Sequence, residues 1–420
     1  MSEKSLSFCM LTTFYPPFHF GGEAMYVYRL SNELARNGHR VTIIHCVDAY
    51  HTLTSAGPRG EFPHHENVTV RPLRSKLGPL SPLVTYLSGR PGLKAGELGR
   101  IFRDEHFDVV NFHLVTLFGP GVLSYGSDAI RLYTMHDHWL VCPMYDLWKQ
   151  NRELCEKPEC LRCQLSFHRP PQLWRYGNLL DRQLDEVDLF LAPSNSIMEQ
   201  HRRRGFSHPM RLLRYFIPPS ETTLVQTEGR TRRARPYFVF VGRLVKLKGV
   251  HSLIEAFRHY DRADLLIAGD GPCESELREL AQGLDHVHFL GRVHPEEVRR
   301  LYADALALLV PTLVYEAGAF VVLEGPSQGT PVIARDLGAA GEIVRESRGG
   351  FTYRTEDELI SAMEAIRQDP QLRAELGARA RQTCEELWST EAHMRAYFAA
   401  IDEAREIRQH RAVSREQSTA

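Results

Sequence analysis

The sequence predicts an α/β protein of two domains, each built on a parallel sheet. Three observations carry that expectation. At 420 residues the chain is too long for one ordinary core. Short apolar runs of strand length recur along it, separated by stretches of helical period, which favours crossover connections and parallel pairing. Residues 218–236, bracketed by Pro218 and Pro236 and basic at their end (GRTRRAR), interrupt that alternation and read as a linker.

In the first domain, residues 1–217, Leu6 to Thr13 reads as the opening strand and Tyr15 to Gly22 as a loop. Gly21 and Gly22 let backbone amides approach a ligand where the next helix begins, although a tight turn explains the pair as well. That helix, Glu23 to Asn37, carries Val27, Leu30, Leu34 and Ala35 on one face and stops at Gly38. Arg40 to Cys46 is the second strand, and residues 48–66 read as loop. Asp108 to Phe112 and Arg131 to Met135 are further strands. His136 follows the latter, at a strand's carboxyl end, where ligands of parallel sheets bind; a loop histidine satisfied by backbone is the plainer alternative. Gln172 to Glu186 reads as a helix, then Asp188 to Ala192 and Arg211 to Tyr215 as strands.

The second domain, residues 237–385, opens on the strand Tyr237 to Val241. Gly242 and Arg243 follow it, and Lys248 and Gly249 stand at a helix start. A forked guanidinium, a point ammonium and helix amides make a diphosphate clamp; otherwise this is a solvated basic turn. Asp264 to Ala268 and His286 to Gly291 are strands, the first running into a turn with Gly269 and Gly271. Ala305 to Val310 and Pro331 to Ala334 complete the set read here. Between them lie Glu316 in a loop and Glu324 in a short helix, Phe320 to Gln328, with seven residues separating the carboxylates. Both can face a ligand, or both can be solvated near a helix start, where negative charge is favoured. Pro326 should shorten or kink that helix. Residues 386–408 read as a helix packing back toward the first domain, and 409–420 as a disordered tail.

Fifty-one basic against 52 acidic residues give no reason to expect nucleic-acid binding. No run of eighteen apolar residues exists, so no membrane-spanning helix is expected. The first residues read as a strand rather than a signal peptide, which implies a cytoplasmic protein whose eight cysteines are thiols or metal ligands. Cys142, Cys155, Cys160 and Cys163 fall in an irregular insertion, 142–170, spaced C-x12-C-x4-C-x2-C. They are enough for a closed tetrahedral zinc site, or are plain reduced thiols. Arg71 to Phe102 is basic and leucine-bearing: through residues 71–94 it suits peripheral contact with an anionic membrane, or it is a solvated helix on its own domain.

Taken together, PP…GGE…LSNELARNGHRVTII, then G-R-L-x3-K-G, then E-x7-E before a G-x-P-V strand resemble the retaining family-4 glycosyltransferases, in the family's order and over nearly the whole chain. The resemblance implies the GT-B fold, two Rossmann-like parallel-sheet domains facing across a cleft. It implies transfer of a sugar from a UDP- or GDP-sugar to a saccharide or lipid-linked saccharide, in polysaccharide or glycoconjugate biosynthesis, with no metal required for catalysis. Arg243 and Lys248 would stabilise the departing diphosphate, and Glu316 and His136 would hold the transferred sugar. Gly22, Gly242, Gly269, Gly271, Gly318, Ala319 and Phe320 would line the donor site, and Glu324 would hold the ribose. Some relatives carry a similar cysteine insertion. The chain departs from the family at Ala319, where a glycine is usual, at Thr312 for Ser, at Tyr215 for Asn, and at Pro326. Two rivals stand beside this reading. One is a nucleotide-sugar epimerase of similar architecture. The other is a sugar-nucleotide-binding module whose catalysis is lost through the Ala317–Ala319 loop.

Overall fold

A computed structural model describes residues 5–58, 60–225 and 235–419. They fall into two compact units. The first holds the chain up to Pro193, Met198–Leu213 and everything from Arg395 on; the second holds Ser194–Ile197 and Arg214–Met394.

The first unit is a sheet of β1 (Ser7–Thr12), β2 (Arg40–Cys46), β3 (Val68–Leu73), β4 (Val109–Phe112) and β5 (Ile130–Thr134). A two-stranded antiparallel hairpin, β6 (Trp148–Lys149) with β7 (Glu153–Leu154), interrupts it before β8 (Leu189–Ala192) and β9 (Met210–Leu212). Its order is β3-β2-β1-β4-β5-β8-β9, with every neighbouring pair parallel. The inner strands are buried along their length, as near-continuous apolar runs of a sheet covered on both faces should be. The chain winds outward from β1 in one direction and from β4 in the other. The crevice between β1 and β4 is therefore the switch point, where such sheets bind ligands.

The second unit repeats the plan with β10 (Tyr237–Val241), β11 (Asp264–Ala268), β12 (Val287–Gly291), β13 (Leu308–Val310), β14 (Val332–Arg335) and β15 (Gly350–Tyr353). The order is β12-β11-β10-β13-β14-β15, again parallel, with its switch point between β10 and β13. Leu253, Ile254 and Phe257 of one helix and Leu359, Met363 and Ile366 of another pack on Phe238, Leu265 and Ile267 of the sheet.

Several sequence expectations need correction. Residues 48–66 are not all loop: Val47–Leu53 is a helix, anchored by Asp48, whose carboxylate takes the amide of Ser75 and pairs with Lys94 at 3.4 Å. Gln172 to Glu186 is not one helix but a single 3₁₀ turn, Leu173–Tyr176, and a helix, Leu179–Leu184, separated at Gly177. The two strands of the parallel sheets that were missed, β3 and β15, are both sheet edges, where burial is partial and alternation weak, and the short hairpin β6–β7 lies inside the insertion read as irregular. Pro72 is tolerated in β3 for the same reason. The tail predicted to be disordered continues a helix, Thr390–Thr419. Its residues are polar but helix-forming, and Arg408 and Arg411 tie it down by donating to the carbonyls of Ala129 and Val187. Residues 226–234 of the predicted linker lie outside the described residues, while Val225 and Thr223 are hydrogen-bonded to the side chain of Gln328.

Candidate active site

In the second unit the loops after β10 and β13 flank the switch point, and most of the sequence-assigned residues lie on them or on the loop after β11. The glycines there have a structural reason to be glycine. A Cβ on Gly269 would stand 1.9 Å from the carbonyl oxygen of Gly242, and one on Gly271 would stand 2.4 Å from that of Leu244. The two loops thus lie backbone against backbone, with Leu244 N donating to Asp270 O. Gly249 is left-handed (φ 73°), and a Cβ on it would meet Pro311 O at 2.1 Å. It is what turns the chain from Lys248 into the helix Val250–Arg258.

Lys248 meets the loop after β13. Its ammonium lies 2.8 Å from Glu316 Oε1, and the buried Thr312 hydroxyl donates to the same oxygen at 2.7 Å. Thr312, set down above as a departure from Ser, therefore supplies the same hydroxyl and holds the Glu316 carboxylate in place. Arg243 is exposed. Ala339 N donates to Glu316 O, and Gly338 leaves room for that loop: its Cβ would lie 2.9 Å from Glu316 N.

Glu324 is not part of that cluster. It sits in the seven-residue helix Val321–Ser327, which contains Pro326 and is as short as that proline requires, and it accepts from Tyr302 Oη at 3.2 Å. Tyr302 is fully buried, and burial first, then the Glu324 charge, raises its phenol well above the ordinary value, so it stays a donor. Phe320 stacks on Tyr215 with centroids 4.6 Å apart, and the Tyr215 ring fills the space over Gly318, whose Cβ would meet it at 2.4 Å. Ala319 is buried and its carbonyl takes the amide of Val322.

In the first unit, Gly22 begins the helix Gly22–Arg36, whose N-terminus has Gly21 in extended conformation and no side-chain cap. His136 stands just past β5. Its Nε2 lies 2.9 Å from Nδ1 of His113, which follows β4, and Tyr26 sets its ring edge-on to both. Asp137 turns back to accept from Trp139 N at 2.8 Å, and burial pushes its carboxyl up to about 7.

The four insertion cysteines are free thiols, with Cys155 N bonded to Leu147 O and Cys163 Sγ accepting from Gln150 N at 3.3 Å. Burial raises the thiols of Cys142, to about 12, and of Cys155 and Cys160. Among the described residues no three His, Cys, Asp or Glu side chains gather in a group that could hold a metal ion.

His113 and Tyr302 escaped the sequence reading, and Thr312 entered it only as a departure from Ser. Only His113 carried a signal, since it ends a strand just as His136 does. Of two expected surface cations one is reassigned, and the other stays exposed but paired. Lys94 is buried, paired with Asp48 and bonded to Ser81, and Arg71 is paired with Glu105 at 3.1 Å.

Two family profiles match the chain: one described as Glycosyltransferase Family 4 over residues 20–221, the other as Glycosyl transferases group 1 over 226–383. Similar proteins include the D-rhamnosyltransferase WbpZ of Pseudomonas aeruginosa, 28% identical over 250 residues (55% of this chain, 56% of that one). A GDP-mannose-dependent phosphatidylinositol monomannoside mannosyltransferase of Mycobacterium tuberculosis is 33% identical over 187 residues (40% and 49%). These two matches span only about half the length of the relatives. O-antigen chain mannosyltransferase C of Escherichia coli aligns over 92% of this chain and 95% of its own, at 24% identity. Among solved structures, the sucrose-phosphate synthase of Thermosynechococcus elongatus superposes with TM-score 0.70 at 20% identity, covering 97% of this chain and all of that one. Anabaena HepE in complex with UDP gives 0.62 at 19% identity, covering 98% and 100%. At such identities these two show the fold.

Proposed function

Since the chain belongs to glycosyltransferase family 4, of the GT-B fold, we propose that it moves a sugar from a nucleoside-diphosphate donor to a saccharide or lipid-linked saccharide, with retention of configuration. The observation that carries this reading is the Lys248–Glu316–Thr312 cluster beside the switch point of the second sheet. A nucleoside diphosphate leaves with its negative charge, and Lys248 and the exposed Arg243 are the fixed cations to receive it. Glu316, held by Thr312 and Lys248, offers its carboxylate to a hydroxyl of the transferred sugar. Glu324, oriented by Tyr302, does the same for the ribose. The reading routes no step through a metal. GDP-mannose is the first donor to try, because the mycobacterial relative uses it, with UDP- and ADP-sugars beside it. Slow hydrolysis of one donor by the purified protein is the expected result. An epimerised donor without hydrolysis would favour the epimerase, and binding without turnover would favour the inactive module.

For the acceptor we propose a lipid-linked saccharide reached at an anionic membrane surface. No helix among the described residues is long and apolar enough to cross a membrane. Support comes from a cluster of exposed apolar side chains in the first unit. Leu80, Leu83 and Leu87 lie on the helix Leu80–Ser88, and Leu173 and Tyr176 lie on a turn bonded to it through Trp174 Nε1 and Tyr86 O. Leu173 is 70% exposed and Tyr176 61%. With Lys94 and Arg71 engaged elsewhere, Arg74, Lys76 and Arg90 remain as exposed cations of the segment. At about 1 kcal/mol each, they suit weak, reversible docking. Sedimentation with anionic vesicles, reduced by salt and by Arg74→Glu with Lys76→Glu, is expected. Equal recovery with neutral vesicles would point to a soluble acceptor.

A further inference from the structure

We propose that the buried Lys94 mounts the helix Leu80–Ser88 with its apolar face outward, and that this face, extended by the cysteine insertion, enters the acyl layer of an anionic bilayer. It rests on the membrane contact of the proposed function, and adds what penetrates and what holds it there.

Leu80, Leu83, Val84 and Leu87 recur at i, i+3, i+4 and i+7, the spacing of the face that a helix normally buries. Here that face is the outer one, its four side chains between 42% and 56% exposed. The buried positions are instead Ser81, Pro82 and Thr85. Leu77 and Leu93, before and after the helix, are exposed as well.

The inversion has a cause in the charge beneath it. Lys94 is buried; its ammonium donates to Ser81 Oγ and lies 3.4 Å from Asp48 Oδ2. Asp48 also accepts from Ser75 N at 2.8 Å, and Thr85 Oγ1 donates to Pro91 O at 3.4 Å. Turning the leucines inward would carry Ser81 away and set apolar groups against a buried ammonium, at large cost. Lys94 is thus a positioning residue for a surface that it does not itself reach.

Tyr86, on the same helix, joins two further segments to it. Its Oη accepts from Gln164 Nε2 at 3.3 Å, and its carbonyl accepts from Trp174 Nε1 at 2.9 Å. Gln164 is buried in the insertion helix Cys160–Ser166, whose Leu161 and Leu165, one turn apart, are both exposed. The insertion therefore adds two leucines beside Leu173 and Tyr176.

A bilayer suits this face better than a second copy of the chain. Arg74, Lys76 and Arg90 are exposed around it, and no acid occurs between Arg71 and Lys94. A symmetric dimer through these leucines would bring like charges together. Anionic headgroups complement those charges, and acyl chains receive the leucines.

The test uses Leu83→Trp in the full-length protein, with vesicles of mixed anionic and neutral phospholipid whose acyl chains carry bromine. The added fluorescence should be quenched, and partly so even at about 0.5 M salt, where screening removes most electrostatic attraction. Leu83→Ser with Leu87→Ser should lower vesicle partition about tenfold in a folded protein. Adding Lys94→Met to Leu83→Trp should abolish the quenching while the protein still melts cooperatively. If that variant does not fold, adding Asp48→Asn removes the stranded carboxylate and restores the test. Sedimentation of the wild type without quenching in Leu83→Trp overturns the inference and leaves a headgroup contact. Quenching retained in a folded Lys94→Met variant overturns the role of Lys94. A dimer that Leu83→Ser with Leu87→Ser splits overturns the bilayer as occupant. No sedimentation of the wild type with these vesicles overturns the membrane contact itself.

Discussion

The two sheets share a winding plan but end their strands in different chemistry. At the switch point of the first, the side chains are rings: His113 and His136, whose imidazoles burial keeps neutral, with Tyr26 edge-on to both. At that of the second they are ions and bare backbone: Arg243, Lys248, Glu316 and the glycines 242, 269 and 271. On the proposed function, the difference would match two different tasks. A diphosphate is large and charged, and it is held best by cations and by amides that no Cβ keeps at a distance. A sugar is neutral and flat-sided, and rings with un-ionised hydrogen-bonding atoms suit it.

The comparison breaks most directly at Lys248. Lys248→Ala removes the fixed charge of the second site and leaves Glu316 without its ion partner; kcat should fall by roughly 10²–10³. Steady-state kinetics reads it, and normal turnover would remove the charged half of the contrast. Next is Gly269→Ala. With φ at 140° and Gly242 O 1.9 Å from the new methyl, the two loops must part. A loss of about 2–3 kcal/mol is expected in denaturant titration, with weaker donor binding. An unchanged midpoint would mean that the loops are not packed as described.

The pH dependence of stability separates the two units more subtly. Burial depresses His45 in the first unit and His393 in the second, each to about 4. For such a group the unfolded chain binds the proton first, so stability is full above the ordinary value near 6.5 and declines as pH falls toward 4. In the first unit Asp137, raised to about 7, and Asp146, raised to about 6, act the other way: they favour folding when protonated, and stability from them declines as pH rises. The first unit also holds His113 and His136, both depressed by burial, so the cost of protonating its histidines opposes what Asp137 and Asp146 gain in acid. Replacing His393 with Asn should flatten the fall in melting temperature between about pH 6.5 and 4, by an amount worth about 3 kcal/mol. His45→Asn should likewise flatten part of the first unit's fall in acid, with His113 and His136 keeping the rest. The smallest effect belongs to Tyr302→Phe, which frees Glu324 from its phenol. Donor affinity should weaken by about 1 kcal/mol with kcat nearly unchanged, as isothermal titration and kinetics would show. Unchanged affinity would detach Glu324 from the donor.

How far the sequence was legible follows the same divide. Buried central strands such as Tyr237–Val241 announce themselves as apolar runs, and the glycine and lysine of the second site stand in a contiguous spacing. What could not be read are pairings between residues far apart in the chain. Lys94 looks like a surface cation until Asp48 is found beside it, and Thr312 looks like a neutral exchange until its hydroxyl meets Glu316. Tyr302 reads as one more core aromatic, and His113 as a strand-end residue without a partner. Edge strands such as β3 lose their alternation, and a polar, helix-forming tail differs from a disordered one only in the carbonyls that Arg408 and Arg411 find.

The return of the chain at Arg395 bears on how the protein is made. Tyr397, fully buried, packs on Phe8 of β1 and takes a hydrogen bond from Asn111 of β4 at 3.1 Å. The first unit is therefore discontinuous, with the second threaded into it as an insertion. During synthesis its sheet emerges some 280 residues before the helix that covers it. The second unit, continuous apart from four residues, has its own sheet and core and can close while the first waits. Cutting the gene at the linker would thus release a first half with an uncovered core. A circular permutant that carries residues 395–419 ahead of β1 is the form in which that half could stand alone.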